Sequence, residues 1–365
     1  MSLPAPSLSS RIGELYKHHG SDIVPSDLLH GLYRDLWAPL EPLIRHKNVI
    51  IIPDGILFAT SFDMLPTAPI KKYTELTEKG LVANYAITYQ YSLFLVGREV
   101  TSKANRNYIA FVPGFDEKAK STYRKKIEDS VLLDQQYLRL LSQPNTRGLA
   151  RKLSKILGGE AITDERSTLD RFKAEASGHK IVHIGTHAEY DNMRPHRSRL
   201  IFSKDQQGTD SNALFLQDIY ACNVQSELTI LTACESGKPG FQDGEGMVSL
   251  AHAFNYAGSQ NILMGLWKID EKSSSQITDK MVDYLQKGHS AATALQKAKL
   301  DYLSSAQGRT AAPAYWAGLV IMGDAAGIEF KPASPNLTWL WISIGLLAVA
   351  GLYIGWRRRQ SIVTA

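Results

Sequence analysis

Two short apolar segments rich in β-branched residues constrain the fold of this chain more than any other feature. The first covers residues 180–187 and ends in His187, and the second covers residues 228–234 and ends in Cys234. Short, continuous apolar runs are typical of parallel strands that are buried on both faces of an α/β sheet. The sequence therefore predicts a sheet that holds both segments as strands.

Further runs of the same kind alternate with helical patterns along the chain. Strands are predicted at residues 49–52, 85–91, 108–112, 181–184, 228–231, 261–267 and 319–322. Helices are predicted at residues 147–157, 164–176, 245–257, 273–286 and 291–304. The alternation in the second half of the chain indicates βαβ units. The predicted fold class is therefore α/β, with a mostly parallel sheet flanked by helices.

His187 and Cys234 are the candidate catalytic residues. Reactive groups of parallel sheets lie just beyond the carboxyl ends of the strands, which is where both side chains fall. They are 47 residues apart with the histidine first, close to the spacing of about 50 residues in caspase-type peptidases. A thiol must ionise before it attacks a carbonyl group, and an adjacent imidazole can accept its proton. The alternative is that both are ordinary core residues.

Three nearby positions complete the interpretation of these segments. His183 lies inside the first segment, and we interpret it as a hydrogen-bonded structural residue. Cys222 precedes the second segment and is interpreted as a small apolar residue. The backbone N–H groups of Cys234 and of Ala188, the residue after the histidine, are predicted to form the oxyanion hole.

The composition limits the kinds of site that the chain can form. Two cysteines are too few for a disulfide framework or a multi-cysteine zinc site. The net charge is +5, and three of the positive charges belong to Arg357, Arg358 and Arg359. Because the rest of the chain is nearly balanced, a nucleic-acid partner is not expected. No cofactor signature is present in the sequence, and no cofactor or metal is expected.

Residues 337–356 form a stretch of twenty residues without a charged side chain. A helix of about 20 residues spans the hydrocarbon core of a bilayer, and tryptophan and tyrosine lie near both ends of the stretch, as in transmembrane helices. The sequence therefore predicts one C-terminal transmembrane helix, preceded by a linker at 331–336 and followed by a basic tail at 357–365. Residues 1–27 are a polar lead without the apolar core of a signal peptide.

The expected location is a membrane, with a single anchor at the C-terminus. Because no signal peptide is evident, the folded domain is expected in the cytoplasm. The basic residues 357–359 favour the opposite orientation by the positive-inside rule. A periplasmic domain is therefore the alternative.

Several blocks of the sequence resemble the CHAT domain, a caspase-like peptidase family related to separases. The blocks are Thr186-His187-Ala188 and residues 231–237, 244–258 and 266–270, with further matches at residues 36–43 and 50–57. The resemblance implies a caspase–hemoglobinase fold for residues 28–330 and a peptidase dyad at His187 and Cys234. Ala188 departs from the family, whose members usually carry glycine at that position.

Substrate preference is predicted from acidic residues that follow the second segment. In separases the matching segments line a pocket for a basic P1 side chain, and the resemblance implies this role for Glu245, Asp270 and Glu271. Carboxylates in such a pocket pair with a substrate arginine through charge-assisted hydrogen bonds. The alternative is that these acids, together with Asp243, only stabilise the N-termini of helices.

These observations predict a membrane-anchored cysteine endopeptidase that cleaves a protein or peptide substrate, with a basic P1 residue. The other expected partners are the lipid bilayer and a separate sensor or activator protein, since family members usually carry helical repeats before this domain. A catalytically silent, membrane-anchored interaction module with the same fold is the main alternative. An acyl-transfer or thioesterase enzyme would also use a cysteine and a histidine.

Overall fold

The fold is known from a computed structural model. It describes residues 7–18, 20–97, 103–127, 133–189, 194–204, 212–232, 240–242, 246–248, 250–324 and 326–330. Residues 1–330 form one unit. Residues 331–365 form a second unit, which lies outside the described residues.

The strands and helices of the described residues are numbered in chain order. The strands are β1 Asn48–Ile51, β2 Ala86–Tyr89, β3 Arg106–Pro113, β4 Glu160–Asp164, β5 His179–Ile184, β6 His187–Glu189, β7 Arg199–Ile201, β8 Ala213–Phe215, β9 Leu228–Leu231, β10 Gly240–Gln242, β11 Gly246–Val248, β12 Asn261–Gly265 and β13 Leu319–Met322. The helices are α1 Leu8–His18, α2 Ser26–Leu36, α3 Leu76–Lys79, α4 Leu81–Asn84, α5 Glu117–Lys126, α6 Gln135–Arg139, α7 Pro144–Leu157, α8 Leu169–Glu175, α9 Leu216–Ile219, α10 Leu250–Tyr256, α11 Glu271–Gln286 and α12 Ala291–Ser305.

An eight-stranded sheet organises the first unit, in the order β1-β2-β13-β12-β9-β5-β3-β4. The pair β12–β13 is antiparallel, and the other pairs of this sheet are parallel. Strands β4, β3, β5, β9 and β12 therefore run in one direction, and β13, β2 and β1 run in the other. The prediction of a mostly parallel sheet flanked by helices is confirmed.

This strand order gives the sheet two chemically different ends. One end holds the carboxyl ends of β3, β4, β5, β9 and β12, and His187 follows β5 there; we call it the His187 end. The other end holds the carboxyl ends of β1, β2 and β13. We call it the Phe330 end, because the last residues of the described chain lie at this end.

Helix α7 shows how the sequence builds the layer next to the sheet. Pro144 occupies its first turn, where no backbone N–H donor is needed. Leu149, Leu153 and Leu157 recur every four residues and bury one stripe of the helix in the main core. Gly158 ends the helix in the left-handed conformation, with a φ of 68°, which glycine adopts without steric cost.

Two of the predicted elements are wrong in part. The helix predicted at 245–257 begins only at Leu250, because residues 246–248 form β11, which pairs with β10. Glycine at position 246 disfavours a helix, and the backbone finds partners in another segment instead. The helix predicted at 164–176 begins only at Leu169, since its first residue ends strand β4.

The membrane span predicted at 337–356 lies outside the described residues. Within the part of the chain that the structure describes, no helix has the length and apolar character needed to cross a bilayer.

Candidate active site

The strands that carry the two candidate catalytic segments are direct neighbours. Strands β5 and β9 are parallel and pair in a register that sets Ile184 opposite Leu231. The backbone N–H of Thr232 continues this ladder by donating to the carbonyl of Ile184 at 3.2 Å. His187 is the third residue after Ile184, and Cys234 is the third residue after Leu231. Residues 233–239, and with them Cys234, lie outside the described residues.

Gly185 gives the chain room to leave strand β5 towards His187. A Cβ atom at this position would overlap the side-chain methyl of Thr146 in α7 and lie 3.3 Å from the hydroxyl of Thr232. Only glycine therefore lets the β5 exit pass between helix α7 and the segment after β9.

The backbone around His187 is fixed by a small second sheet. Strand β6 begins at His187 and pairs with β7, which places the histidine opposite Ile201. The hydroxyl of the preceding, fully buried Thr186 donates to the carbonyl of Ile201. Ala188, the predicted oxyanion donor, follows in the same strand and is partly exposed.

The imidazole of His187 is oriented by one hydrogen bond and one ring contact. Its Nε2 donates to the backbone carbonyl of Leu141 at 2.7 Å, and its ring meets the ring of Phe115 edge-on at 5.1 Å. Because a carbonyl oxygen can only accept, Nε2 carries the proton of the neutral ring and Nδ1 keeps the lone pair. Nδ1 is therefore the nitrogen that can act as a base.

Electrostatics keep this ring neutral near neutral pH. Burial lowers the pKa of His187 below its usual value, and the positive charge of Lys268 acts in the same direction. The hydrogen bond to the carbonyl of Leu141 raises the pKa, but by less than burial lowers it. A neutral imidazole is the form that can take a proton from a thiol.

His183 occupies a different environment. It is fully buried, with Nδ1 at 2.8 Å from the hydroxyl of Tyr108 and Nε2 at 3.1 Å from that of Thr232. Burial lowers its pKa to about 4. These contacts tie β3, β5 and the segment after β9 together, which matches the interpretation of His183 as a structural residue.

Cys222 lies at the Phe330 end of the sheet, before β9 begins. Its thiol is half-buried and donates to the carbonyl of Asp218 at 3.4 Å. Burial raises the pKa of this thiol, which disfavours the reactive thiolate. Cys222 packs against the main core, which matches its interpretation as a small apolar residue.

The acidic residues predicted for the substrate pocket have structural partners. Asp270 caps helix α11, with Oδ1 accepting from the backbone N–H and the hydroxyl of Ser273 at 2.9 and 2.8 Å. Glu271 reaches the start of α7, where its two oxygens accept from the backbone N–H of Thr146 at 2.9 Å and from Asn145 Nδ2 at 3.0 Å. Asp270 thus performs the alternative, capping role, and Glu271 joins two helices.

Glu245, the third acid of the predicted pocket, lies outside the described residues, as does Asp243. Among the residues that are described, no group of histidine, cysteine or acidic side chains is arranged to hold a metal ion.

Two residues that orient His187 were not found from the sequence. The Leu141 group that binds the imidazole is a backbone carbonyl, which every residue type carries, so the sequence could not indicate it. Phe115 comes two residues after Pro113, the last residue of β3, and this position beyond a strand end could have indicated a place near the site.

The fold and this site define an α/β protein with a candidate histidine base beyond the carboxyl ends of its central strands. The family model of the CHAT domain matches residues 26–324. The chain therefore belongs to the CHAT domain family.

Comparison with individual proteins gives more distant similarities. The chain is 20% identical over 356 residues to tetratricopeptide repeat protein 28 of Mus musculus, covering 84% of this chain and 13% of that protein. Separase in the Saccharomyces cerevisiae separase–securin complex matches 68% of this chain and 14% of its own, with a TM-score of 0.40 and 11% identity. The Arg-specific cysteine proteinase gingipain R matches 88% of this chain and 76% of its own, with a TM-score of 0.49 and 10% identity.

Proposed function

We propose that the protein is a membrane-anchored cysteine endopeptidase with His187 and Cys234 as its catalytic dyad. The observation that carries the proposal is the register of β5 and β9, which sets Ile184 opposite Leu231. From that level, each catalytic residue is three residues further along its own chain segment. Because both residues are the same number of positions beyond the paired residues Ile184 and Leu231, a short distance between the thiol and the imidazole is favoured.

The orientation of His187 supports a defined mechanism. Nδ1 accepts the proton of the Cys234 thiol, and the thiolate then attacks the carbonyl carbon of the scissile peptide bond. The oxyanion of the tetrahedral intermediate accepts hydrogen bonds from the backbone N–H groups of Ala188 and Cys234. The protonated imidazole gives its proton to the leaving amine. Water then hydrolyses the acyl-enzyme and regenerates the thiol.

A basic P1 preference is part of the proposal, and Asp270 is the acid best suited to it. Both of its hydrogen bonds to Ser273 are made by Oδ1, which leaves Oδ2 free of that capping role. In Glu271, by contrast, both carboxylate oxygens accept hydrogen bonds from α7. A substrate guanidinium could therefore pair with Asp270 without undoing a helix cap, and Glu245 is the further candidate.

The main competing function is a catalytically silent, membrane-anchored interaction module. The position of His187 favours the enzyme, because it follows the carboxyl end of β5, whereas His183, which we interpret as structural, lies inside that strand. Membrane anchoring rests on the uncharged residues 337–356. The bilayer, a protein substrate and a separate activator remain the proposed partners, with the folded domain proposed in the cytoplasm.

The first test is covalent labelling of the full chain with an electrophilic peptide probe, together with a peptide-library cleavage assay. Wild type should be labelled and should cleave, and Cys234→Ala should lose both because the nucleophile is gone. Cys222→Ala is the matched control and should keep both. Equal labelling of the Cys234→Ala protein would reject the dyad, and a wild type that neither reacts nor cleaves would favour the interaction module.

A further inference from the structure

The described chain ends at the opposite end of the sheet from His187. Strand β13 runs antiparallel to β12, so its last residue, Met322, lies beside the start of β12. The chain then crosses to the beginning of β5, where the carbonyl of Glu329 accepts a hydrogen bond from Lys180. Phe330, the last described residue, follows directly.

A turn at this end, held by two hydrogen bonds, exposes two large apolar side chains. Leu93 is 72% exposed and Phe94 is 93% exposed, in the turn that follows β2. Asp324 holds both sides of the turn, accepting from Gln90 Nε2 at 3.4 Å and from the backbone N–H of Gly97 at 3.1 Å. The exposed side chains are thus held out from the body of the protein by residues next to β13.

A chain of ring contacts connects this turn to a third exposed residue, Tyr256. Tyr91 meets His252 at 4.8 Å, His252 meets Tyr220 at 6.1 Å, and Tyr220 meets Tyr256 at 5.3 Å between ring centroids. Tyr256 ends helix α10 and is 72% exposed. We call Leu93, Phe94 and Tyr256 the apolar tip.

The length of the following segment limits how far this end can be from a membrane. Six residues, 331–336, separate Phe330 from the uncharged stretch at 337–356. The seven Cα–Cα steps from Phe330 to Leu337 span at most about 25 Å when the chain is fully extended. If the uncharged stretch crosses a bilayer, then Phe330 lies within that distance of the lipid surface.

We propose that the apolar tip inserts into the interfacial region of the lipid bilayer. The free energy of exposed aromatic and aliphatic side chains falls when they move from water into this region. The apolar faces of helices that lie on a membrane enter it by about 5–10 Å. The inference rests on the proposed membrane anchor, and it adds that the folded domain contacts lipid on a defined face.

The consequence concerns access to the active site. The His187 end is separated from the apolar tip by the length of the central strands, about 20 Å for the six residues of β5. With the tip in the lipid interface, His187 faces away from the membrane. The substrate is then a soluble protein or a segment that projects from the membrane surface.

The test uses the full chain reconstituted in phosphatidylcholine vesicles, with Cys222→Ser and Cys234→Ser as background. An environment-sensitive NBD fluorophore is attached to Phe94→Cys in one sample and to Leu141→Cys in the other. Leu141 is the matched control, because it is an aliphatic residue with 71% exposure that contacts His187 at the other end of the sheet. Part of the phosphatidylcholine carries a nitroxide quencher near the headgroup end of its acyl chain.

Insertion predicts a blue-shifted emission at position 94 that is lost with the quencher, and an unshifted, unquenched emission at position 141. Vesicle flotation of the same samples tests the anchor separately. Flotation with an unshifted and unquenched label at position 94 would overturn the insertion and leave the anchor standing. A blue shift without quenching would mean that a protein covers the tip, and loss of flotation would overturn both proposals.

Discussion

At the scale of single residues, His183 and His187 show how two histidines four positions apart acquire different chemistry. His183 is enclosed between the hydroxyls of Tyr108 and Thr232, and burial lowers its pKa to about 4. His187 lies beyond the strand end, where Nε2 donates to the carbonyl of Leu141 and Nδ1 keeps the lone pair. Both rings are neutral at pH 7, but of the two only His187 lies beyond the strand end, on the side where Cys234 is proposed to lie.

The first prediction at this scale concerns stability and pH. The folded His183 titrates near pH 4 and an unfolded histidine near 6.5, so between these values the unfolded state binds a proton that the folded state does not. Stability should therefore fall as the pH falls from about 6.5 to 4, by roughly 3 kcal/mol from this residue. His183→Gln should be less stable at pH 7 and should show a smaller loss over this window in urea unfolding.

His187→Gln provides the matched control for this experiment. It should lose peptide cleavage, because glutamine cannot accept the thiol proton, and it should retain most of the pH dependence of stability. If His183→Gln and wild type lose the same free energy of unfolding between pH 6.5 and 4, burial of a neutral His183 is not the cause.

At the scale of elements, helices α7 and α11 meet beside the exit of β5 through the carboxylate of Glu271. This group satisfies the backbone N–H of Thr146 and the amide of Asn145 at the start of α7. Charged acceptors at helix N-termini are stabilising because the helix dipole favours negative charge there. Asp270 performs the corresponding role for its own helix, α11.

Two conservative substitutions should separate stability from specificity. Glu271→Gln replaces one acceptor by a donor that faces Thr146 or Asn145, and should lower the free energy of unfolding by about 1 kcal/mol. Asp270→Asn keeps an effective cap but removes the charge proposed for a basic P1 residue. It should lower kcat/KM for an arginine substrate by roughly ten- to a hundredfold, with little change for an apolar P1 residue.

Stability measurements and peptide kinetics on both variants decide between the two acids. If Glu271→Gln loses arginine cleavage without a change in stability, Glu271 and not Asp270 is the acid that binds the basic P1 residue. If neither variant affects arginine cleavage, the pocket does not include these residues and Glu245 becomes the remaining candidate.

The central strands were predictable because a strand that is buried on both faces requires apolar residues at successive positions. Strands β9 and β13 fall at the predicted positions for this reason. Strand β11 was not predicted, because its conformation depends on pairing with β10 and not on its own residue pattern. The Leu141 carbonyl that orients His187 was equally hidden, because a backbone group becomes specific only through the fold.

At the scale of the whole molecule, the first unit contains the sheet, the His187 site and the N-terminal helix α1. Ile12 and Leu15 of this helix are buried in the main core. Residues 1–330 thus contain the complete described core, and residues 331–365 follow as a separate unit. The candidate chemistry and the proposed anchor therefore fall in different units of the chain.

The last prediction uses this division to test the anchor itself. Twenty uncharged residues at 337–356 form a helix of about 30 Å, enough to cross the hydrocarbon core. The full chain should therefore sediment with membranes and resist carbonate, whereas a chain ending at Phe330 should stay soluble without detergent and keep its peptidase activity. Carbonate removes proteins held only at the surface, so release of the full chain by carbonate would mean that the segment lies on the bilayer instead of crossing it.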